Sequence, residues 1–514
     1  MTPAPSSTDF PLAELNTLRL DQEGSEPLYQ QLADTIRNHI LSGTWRPGYR
    51  LPATRKLAAM LGLGRNTVSA AYDLLTSEGL LESRVGAGCF VCSRLPDSAF
   101  RDTGPVAGEP QAGPIPSLSK RGVQLNASSS RAPVSQPRSF SPGIPDFEQF
   151  PIDLWARLQA RHWRQATREM MTYADPAGYA PLREAIAGYL AACRGVRCEA
   201  EQVFVVSGSQ QAIDLISRLL LDEGDAAWIE EPCYEGARGA LRQAGARLVP
   251  VPVDGDGLNP QEGLKRCPDP KLMFLTPSHQ YPMGRLMTMP RRLDVLATAH
   301  ERGIWIVEDD YDSEFRFDGP PLPAIQGLDR RDSVLYLGTF SKVMFPALRI
   351  GYLVIPKRLI ETFHKARSFV DSFTQPVNQA VLAEFIREGH FSSHLRRMRL
   401  CYRRRYEALG DLIQRHLANW FRVESQRGGM HVTLVAQEPF DDVAFYRDAA
   451  ATGTVVRALS TYFTERPGRP GLILGYAGFP EAQLEAGVKR IAALLAQRSY
   501  HPVEVDSQRN PRMP

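Results

Sequence analysis

The chain has 514 residues, too many for one ordinary core, so two or three folded units are expected. A composition of 43% hydrophobic and 23% charged residues is that of a soluble globular protein. No apolar run approaches the roughly 18 to 20 residues of a membrane span, and residues 1–10 lack the basic-then-apolar order of a secretory signal. The net charge of +3 decides nothing about nucleic acid, so a DNA footprint has to come from local clustering. The seven cysteines are odd in number and scattered, which points to a reducing cytoplasm rather than a disulfide framework. Cys89 and Cys92 form a C-x-x-C without a second pair nearby and are read as packing residues, not zinc ligands; no metal is expected.

In chain order, Leu28, Leu32, Ile36 and Ile40 recur every four residues and predict a first helix with one apolar face. Pro52 and Thr54 open a second helix, with Thr54 as its N-cap and Leu57, Ala58 and Leu61 facing inward. The turn Gly62-Leu63-Gly64 permits positive φ and leads into a third helix, with Val68, Ala71, Tyr72 and Leu75 at i, i+3, i+4 and i+7. Its other face carries Arg65, Asn66, Thr67 and Ser69 at the N-terminal end, where a recognition helix meets base edges. Leu80 to Arg84, the turn Gly86-Ala87-Gly88 and Cys89 to Cys92 predict a hairpin wing, closing a domain over residues 25–94. Periodicity alone leaves DNA binding open, because three helices and a hairpin also serve other ends.

Residues 95–140 turn to Pro, Gly, Ser and Ala, as in GPVAGEPQAGPIP, and predict a flexible linker: such a stretch buries too little surface to offset its ordering entropy. Over residues 141–500 the short apolar runs VFVV, AAWIE, LMFL, IWIV and VLYL alternate with helical stretches. That order predicts a mainly parallel, doubly wound α/β sheet.

Ligands of such sheets sit at strand ends. VLYL is followed by Gly-Thr-Phe-Ser-Lys, which puts Lys342 on a loop just past a strand, and Arg349 seven residues on suits a phosphate. IWIVEDDYDSEF ends its strand in acids and supplies Asp309 and Tyr311. VFVVSGSQQAIDL reads as strand, small-residue turn and helix, so the N–H groups at Ser209 and Gln210 form an anion site. Together they meet the needs of a pyridoxal 5′-phosphate (PLP) pocket. Lys342 takes the aldehyde, Asp309 the pyridine nitrogen and Tyr311 the ring oxygen, while Arg349, Ser209 and Gln210 take the phosphate. Taken singly, the lysine also reads as a solvated charge and the acids as a helix cap.

The stretch from PLYQQL to GAGCFV resembles the GntR-type winged helix almost end to end, and residues from about 140 to 495 resemble a class I/II, fold-type-I aminotransferase. The order of winged helix, linker and aminotransferase is similar to that of the MocR/GabR regulators. The resemblance implies that Arg55, Arg65 and Thr67 contact DNA, with Gly86 at the wing tip. It implies that Lys342 is the catalytic lysine that carries PLP, that Thr339 or Ser341 joins Arg349 at the phosphate, and that Tyr234 in EEPCY stacks on the ring. Tyr173, in YADPAGYAPLREA, matches a tyrosine that reaches a partner subunit's phosphate, which implies a homodimer; the local sequence equally fits a tyrosine packed under a loop.

Two departures from the aminotransferase pattern bear on function. In TPSHQYPMG, Tyr281 stands where those enzymes carry an Asn that bonds the ring oxygen, and His279 is the expected substitute. The arginine that grips a substrate carboxylate is expected near GLILGYAG, around Leu472, where this sequence is apolar. The resulting expectation is a cytoplasmic regulator that binds operator DNA and senses an amine, an amino acid or PLP itself. A working aminotransferase with a DNA tether and a regulator with a relic pocket are the alternatives.

Overall fold

Apolar residues four apart along the first helix, α1 (Leu28–Leu41), bury Leu32, Ala33, Ile36 and Ile40, the face that the period predicts. In the computed structural model, residues 20–21, 25–84, 87–93, 117–127, 138–319, 322–425, 427–465, 468–497 and 500 are described. They fall into two compact units, Met1–Ser117 and Leu118–Pro514.

In the first unit, α2 (Thr54–Leu61) buries Leu57 and Ala58, and α3 (Arg65–Ser77) buries Val68, Ala71, Tyr72 and Leu75. Thr54 does not cap α2 as expected. It is the first helical residue, and Ala53 at the N-cap has no side chain to offer. The helix starts one residue earlier than expected: Ala53 is the extended N-cap at ψ 142°, and the Tyr72 hydroxyl donates to the carbonyl of the preceding Pro52 at 3.0 Å. Gly62 takes φ +65° as the left-handed C-cap, a conformation glycine adopts without strain. Strand β1 (Leu81–Arg84) pairs antiparallel with β2 (Gly88–Val91) to form the hairpin. Its Leu81 and Val91 join Trp45 in the core, and Cys89 and Cys92 pack against that core. Gly86 lies outside the described residues.

The second unit is built on an eight-stranded sheet in the order β3-β10-β9-β8-β7-β4-β5-β6. The strands are β3 (Val203–Val206), β4 (Ala226–Glu231), β5 (Arg247–Asp254), β6 (Gly257–Leu258), β7 (Leu272–Leu275), β8 (Trp305–Asp310), β9 (Val334–Thr339) and β10 (Gly351–Val354). β9, β8, β7, β4 and β5 run parallel, whereas β10 and β6 are antiparallel to their neighbours. The parallel core is buried on both faces, which is why its strands read as unbroken apolar runs. A second, four-stranded antiparallel sheet has the order β11-β12-β14-β13, from β11 (Phe421–Val423), β12 (His431–Ala436), β13 (Arg457–Ala458) and β14 (Gly471–Gly475).

The stretch expected to be a flexible linker contains a helix, Lys120–Ala127, because KRGVQLNA has helix formers enough for two turns. Its last residue, Phe140, is fully buried and bridges to Gly475 of β14, so it belongs to the folded unit. Among the described residues, no helix is long and apolar enough to cross a membrane.

Candidate functional site

In β8 the run Glu308-Asp309-Asp310 sends alternate side chains to opposite faces of the sheet. Glu308 accepts from the backbone N–H groups of Ile325 and Gln326 at 3.0 and 2.9 Å. Asp310 accepts from Arg194 at 2.7 Å and from the Tyr336 hydroxyl at 2.6 Å. Asp309 alone faces the other way, into a cavity of about 210 Å³ at the strand ends, and its buried Oδ1 has no partner. Burial first, then the neighbouring Asp310, pushes its carboxyl up to about 8, against the pull of Lys342.

The loop after β9 brings Lys342 to the same cavity, where its Nζ donates to the Gly143 carbonyl at 3.1 Å. Ser341 donates its N–H to Thr339 Oγ1 at 3.2 Å, tightening the turn that aims the lysine. Arg349 sits in the left-handed region at φ 52°, uncommon for a side-chain-bearing residue, and no carboxylate pairs with it among the described residues. Its guanidinium lies against Gly208 (φ 127°), where a Cβ would come within 3.3 Å. Gly208 caps the helix Ser209–Leu220, so the N–H groups of Ser209 and Gln210 open beside Arg349 as a ready anion cradle. Tyr234, Tyr281, Tyr311, Thr276, Met430 and His431 complete the wall. The Tyr281 ring lies 5.9 Å from those of Tyr234 and Tyr311 and 5.2 Å from His431.

The structure thus gathers Lys342, Asp309, Tyr311, Arg349, Ser209, Gln210, Tyr234, Thr339 and Ser341 in one cavity. It does not bring His279 to that wall. His279 lies behind Tyr311, with Nδ1 3.1 Å from the Tyr311 hydroxyl and 3.0 Å from Asp312, because Tyr281 already fills the space facing the cavity. Tyr173 is not in the cavity either: it is 87% exposed, its ring meeting that of Phe373 edge-on at 6.1 Å, so it is not packed under a loop. Arg55, Arg65 and Asn66 are exposed and Thr67 is half-buried at the start of α3.

Sequence reasoning missed Gly143, Thr276, Asp312, Met430 and His431. Gly143 follows a proline in FSPGIPD and takes φ 71°, and His431 opens β12 after two glycines; both were visible as turn signals but not as cavity walls. His279, Asp312 and His431 also bring possible ligand atoms within 4.8 Å of one another. His431 Nε2 donates to the Pro282 carbonyl at 3.0 Å, and burial, with His279 adding to it, pushes this imidazole down to about 3, so it is neutral. A Cβ at Gly143 would fall onto Lys342 Nζ. Gly143→Ala is therefore expected to add roughly 1 kcal/mol of backbone strain and to displace the lysine, read as a lower melting temperature and faster cofactor loss.

Residues 139–491 match the family model of aminotransferase class I and II, and residues 28–91 match that of the bacterial regulatory proteins of the gntR family. The chain belongs to the class I and II aminotransferase family and carries a gntR-family winged helix ahead of it. The probable rhizopine catabolism regulatory protein MocR of Rhizobium meliloti is 42% identical over 95% of this chain and 98% of its own length. The pyridoxine biosynthesis regulator PdxR of Corynebacterium glutamicum is 30% identical over 88% of this chain and 93% of its own. Among solved structures, the α-aminoadipate aminotransferase LysN of Thermus thermophilus, 32% identical, aligns with a TM-score of 0.69 over 74% of this chain and 97% of that one. The domain binds PLP, and its residues fit that group: an orphaned buried carboxylate, an amine, and a cation beside a helix N-terminus share one cavity.

Proposed function

We propose that this protein is a transcription regulator that binds operator DNA through its winged helix and senses an amine or amino acid at PLP held in the C-terminal unit. The observation that carries the reading is the single cavity holding Lys342, the unpartnered Asp309 Oδ1 and Arg349, in a chain whose N-terminal unit is a DNA reader. When bound, PLP supplies an aldehyde that reacts reversibly with amines and a ring that withdraws electrons. Lys342 Nζ holds the cofactor covalently. Asp309 keeps the ring nitrogen protonated, and its burial strengthens that pairing. Arg349, the N–H groups of Ser209 and Gln210, and the hydroxyls of Thr339 and Ser341 bind the phosphate, and Tyr234 covers the ring. Burial holds the Tyr311 phenol far above its ordinary range, so it keeps its proton. His279 shares its Nδ1 proton with Asp312, which leaves the Tyr311 proton for the ring oxygen.

In this reading Arg55, Arg65, Asn66, Thr67 and Gly86 meet DNA. The exposed Tyr173 reaches the phosphate of a second subunit, making the protein a homodimer. Seven free thiols suit the cytoplasm.

A working aminotransferase is the competing function, favoured by the complete cofactor pocket. Transamination requires a second anchor that aligns the substrate for proton removal by Lys342, and β14 offers only buried apolar residues and glycine where that anchor is expected. Holoprotein mixed with amino acids, amines and an acceptor keto acid is expected to show a changed cofactor spectrum and changed operator affinity without turnover. Turnover at ordinary enzyme rates, roughly 1 to 1,000 per second, would promote the enzyme reading.

A further inference from the structure

The cofactor accounts for every free charge in the cavity, and what remains is chemically selective. Among the described lining residues the cations are Lys342 and Arg349, one assigned to the aldehyde and the other to the phosphate. His431 is neutral, held so by burial and by His279. Apart from the Asp312 carboxylate, which His279 Nδ1 meets at 3.0 Å, the wall that faces an incoming ligand is hydroxyl and apolar, with Tyr281, Thr276 and Met430 in it. Behind it, Tyr281 packs in one cluster with Met283, Leu459, Tyr462 and Ile473, and its hydroxyl lies 3.2 Å from that of Tyr462. Ile473 lies on β14, so the strand expected to carry a carboxylate-binding arginine packs isoleucine under the aromatic wall instead.

Two arginines elsewhere in that region are committed. Arg238 donates to the carbonyls of Thr461 and Phe463 at 3.3 and 3.4 Å, and Arg427 donates to Glu407 at 2.9 Å. Arg457 lies 6.0 Å over the Tyr446 ring with its buried Nε unpartnered, and it is not among the residues that line the cavity. A carboxylate pressed against this wall would be buried without a counter-charge, which is far more costly than burying a hydroxyl that can trade donors and acceptors with Tyr281 and Thr276. A second ammonium fares no better, since Asp312 is fully buried and engaged with His279 and Asp309 is taken by the ring nitrogen.

We infer that the effector is a primary amine whose other polar groups are uncharged, an amino alcohol in the broad sense, and not an amino acid. This rests on the assignment of PLP to Lys342. The experiment first establishes that assignment on the full-length protein, by borohydride reduction and peptide mapping; cofactor fixed to a different lysine, or none fixed, defeats the functional reading before any amine is added. Mapped holoprotein is then titrated with matched pairs, ethanolamine against glycine and alaninol against alanine, following the visible cofactor band and, independently, the heat of binding. The alcohol of each pair is expected to bind at least roughly tenfold tighter than its acid. Equal or tighter binding of the acids overturns the inference, as does a failure of all four compounds to bind.

Discussion

Purified protein is expected to be yellow, and borohydride is expected to fix the cofactor on Lys342 and on no other lysine. The reason is geometric. Lys342 is the one lysine among the described cavity residues, and its neighbours Asp309, Tyr311 and Arg349 surround the same space. Lys342→Ala should abolish the reducible attachment entirely, a loss of signal rather than a graded effect. The variant should still retain some cofactor, because the anion cradle at Gly208, Ser209 and Gln210, Arg349 and the Asp309 carboxyl are untouched. Mass spectrometry of the reduced, digested protein checks both statements at once, and a labelled peptide lacking residue 342 would place the cofactor elsewhere.

The second large effect is on DNA. Arg65 is the first residue of α3 and is exposed, and Asn66 and Thr67 follow it at the helix end that enters a groove. Arg65→Ala is expected to weaken operator binding by about 1 to 3 kcal/mol and to relax preference at one base pair, if the guanidinium reads a base edge. Arg55 is exposed one residue into α2, where a phosphate contact is the natural role. Arg55→Ala should then weaken all sequences alike and flatten the dependence on salt. Binding measured over a salt series with the operator and with single-base variants separates the two behaviours. Unchanged binding in both variants would mean that a different surface reads the DNA.

The cofactor residues were legible where a short motif carried its own context. Asp309 and Tyr311 stand at the end of β8, and Lys342 and Arg349 lie in the segment that follows β9; a parallel sheet gathers strand ends at one edge, so the two motifs converge without any knowledge of distance. Gly143 and His431 were not legible, because each reaches the cavity through long-range packing: Gly143 from the segment just before the helix Ile152–Arg164, His431 from the second sheet. The place of His279 outside the cavity wall was hidden for a related reason. Sequence spacing shows which residue could substitute for a missing asparagine, but only packing shows that the Tyr281 ring occupies the cavity side and leaves histidine behind Tyr311. The Thr54 cap was missed by one residue, because Ala53 and not Thr54 is the last extended residue before α2. In the winged helix, by contrast, a local apolar period decided the packing, and the buried faces of α1 and α3 agree with it residue by residue.

The short run from Phe140 to Gly143 works as a tether with one end fixed. Phe140 is locked by its buried ring, its bridge to Gly475 and the Gly475 N–H donated to its carbonyl at 2.9 Å. Three residues later, the Gly143 carbonyl accepts a hydrogen bond from Lys342 Nζ at 3.1 Å. Little slack lies between them, since the carbonyl of Ser141 sits where a Cβ on Gly475 would be, and Pro142 has a restricted φ. Any change in what Lys342 Nζ bonds must therefore be taken up within Ser141 and Pro142 or carried into β14 as a shift of the whole strand.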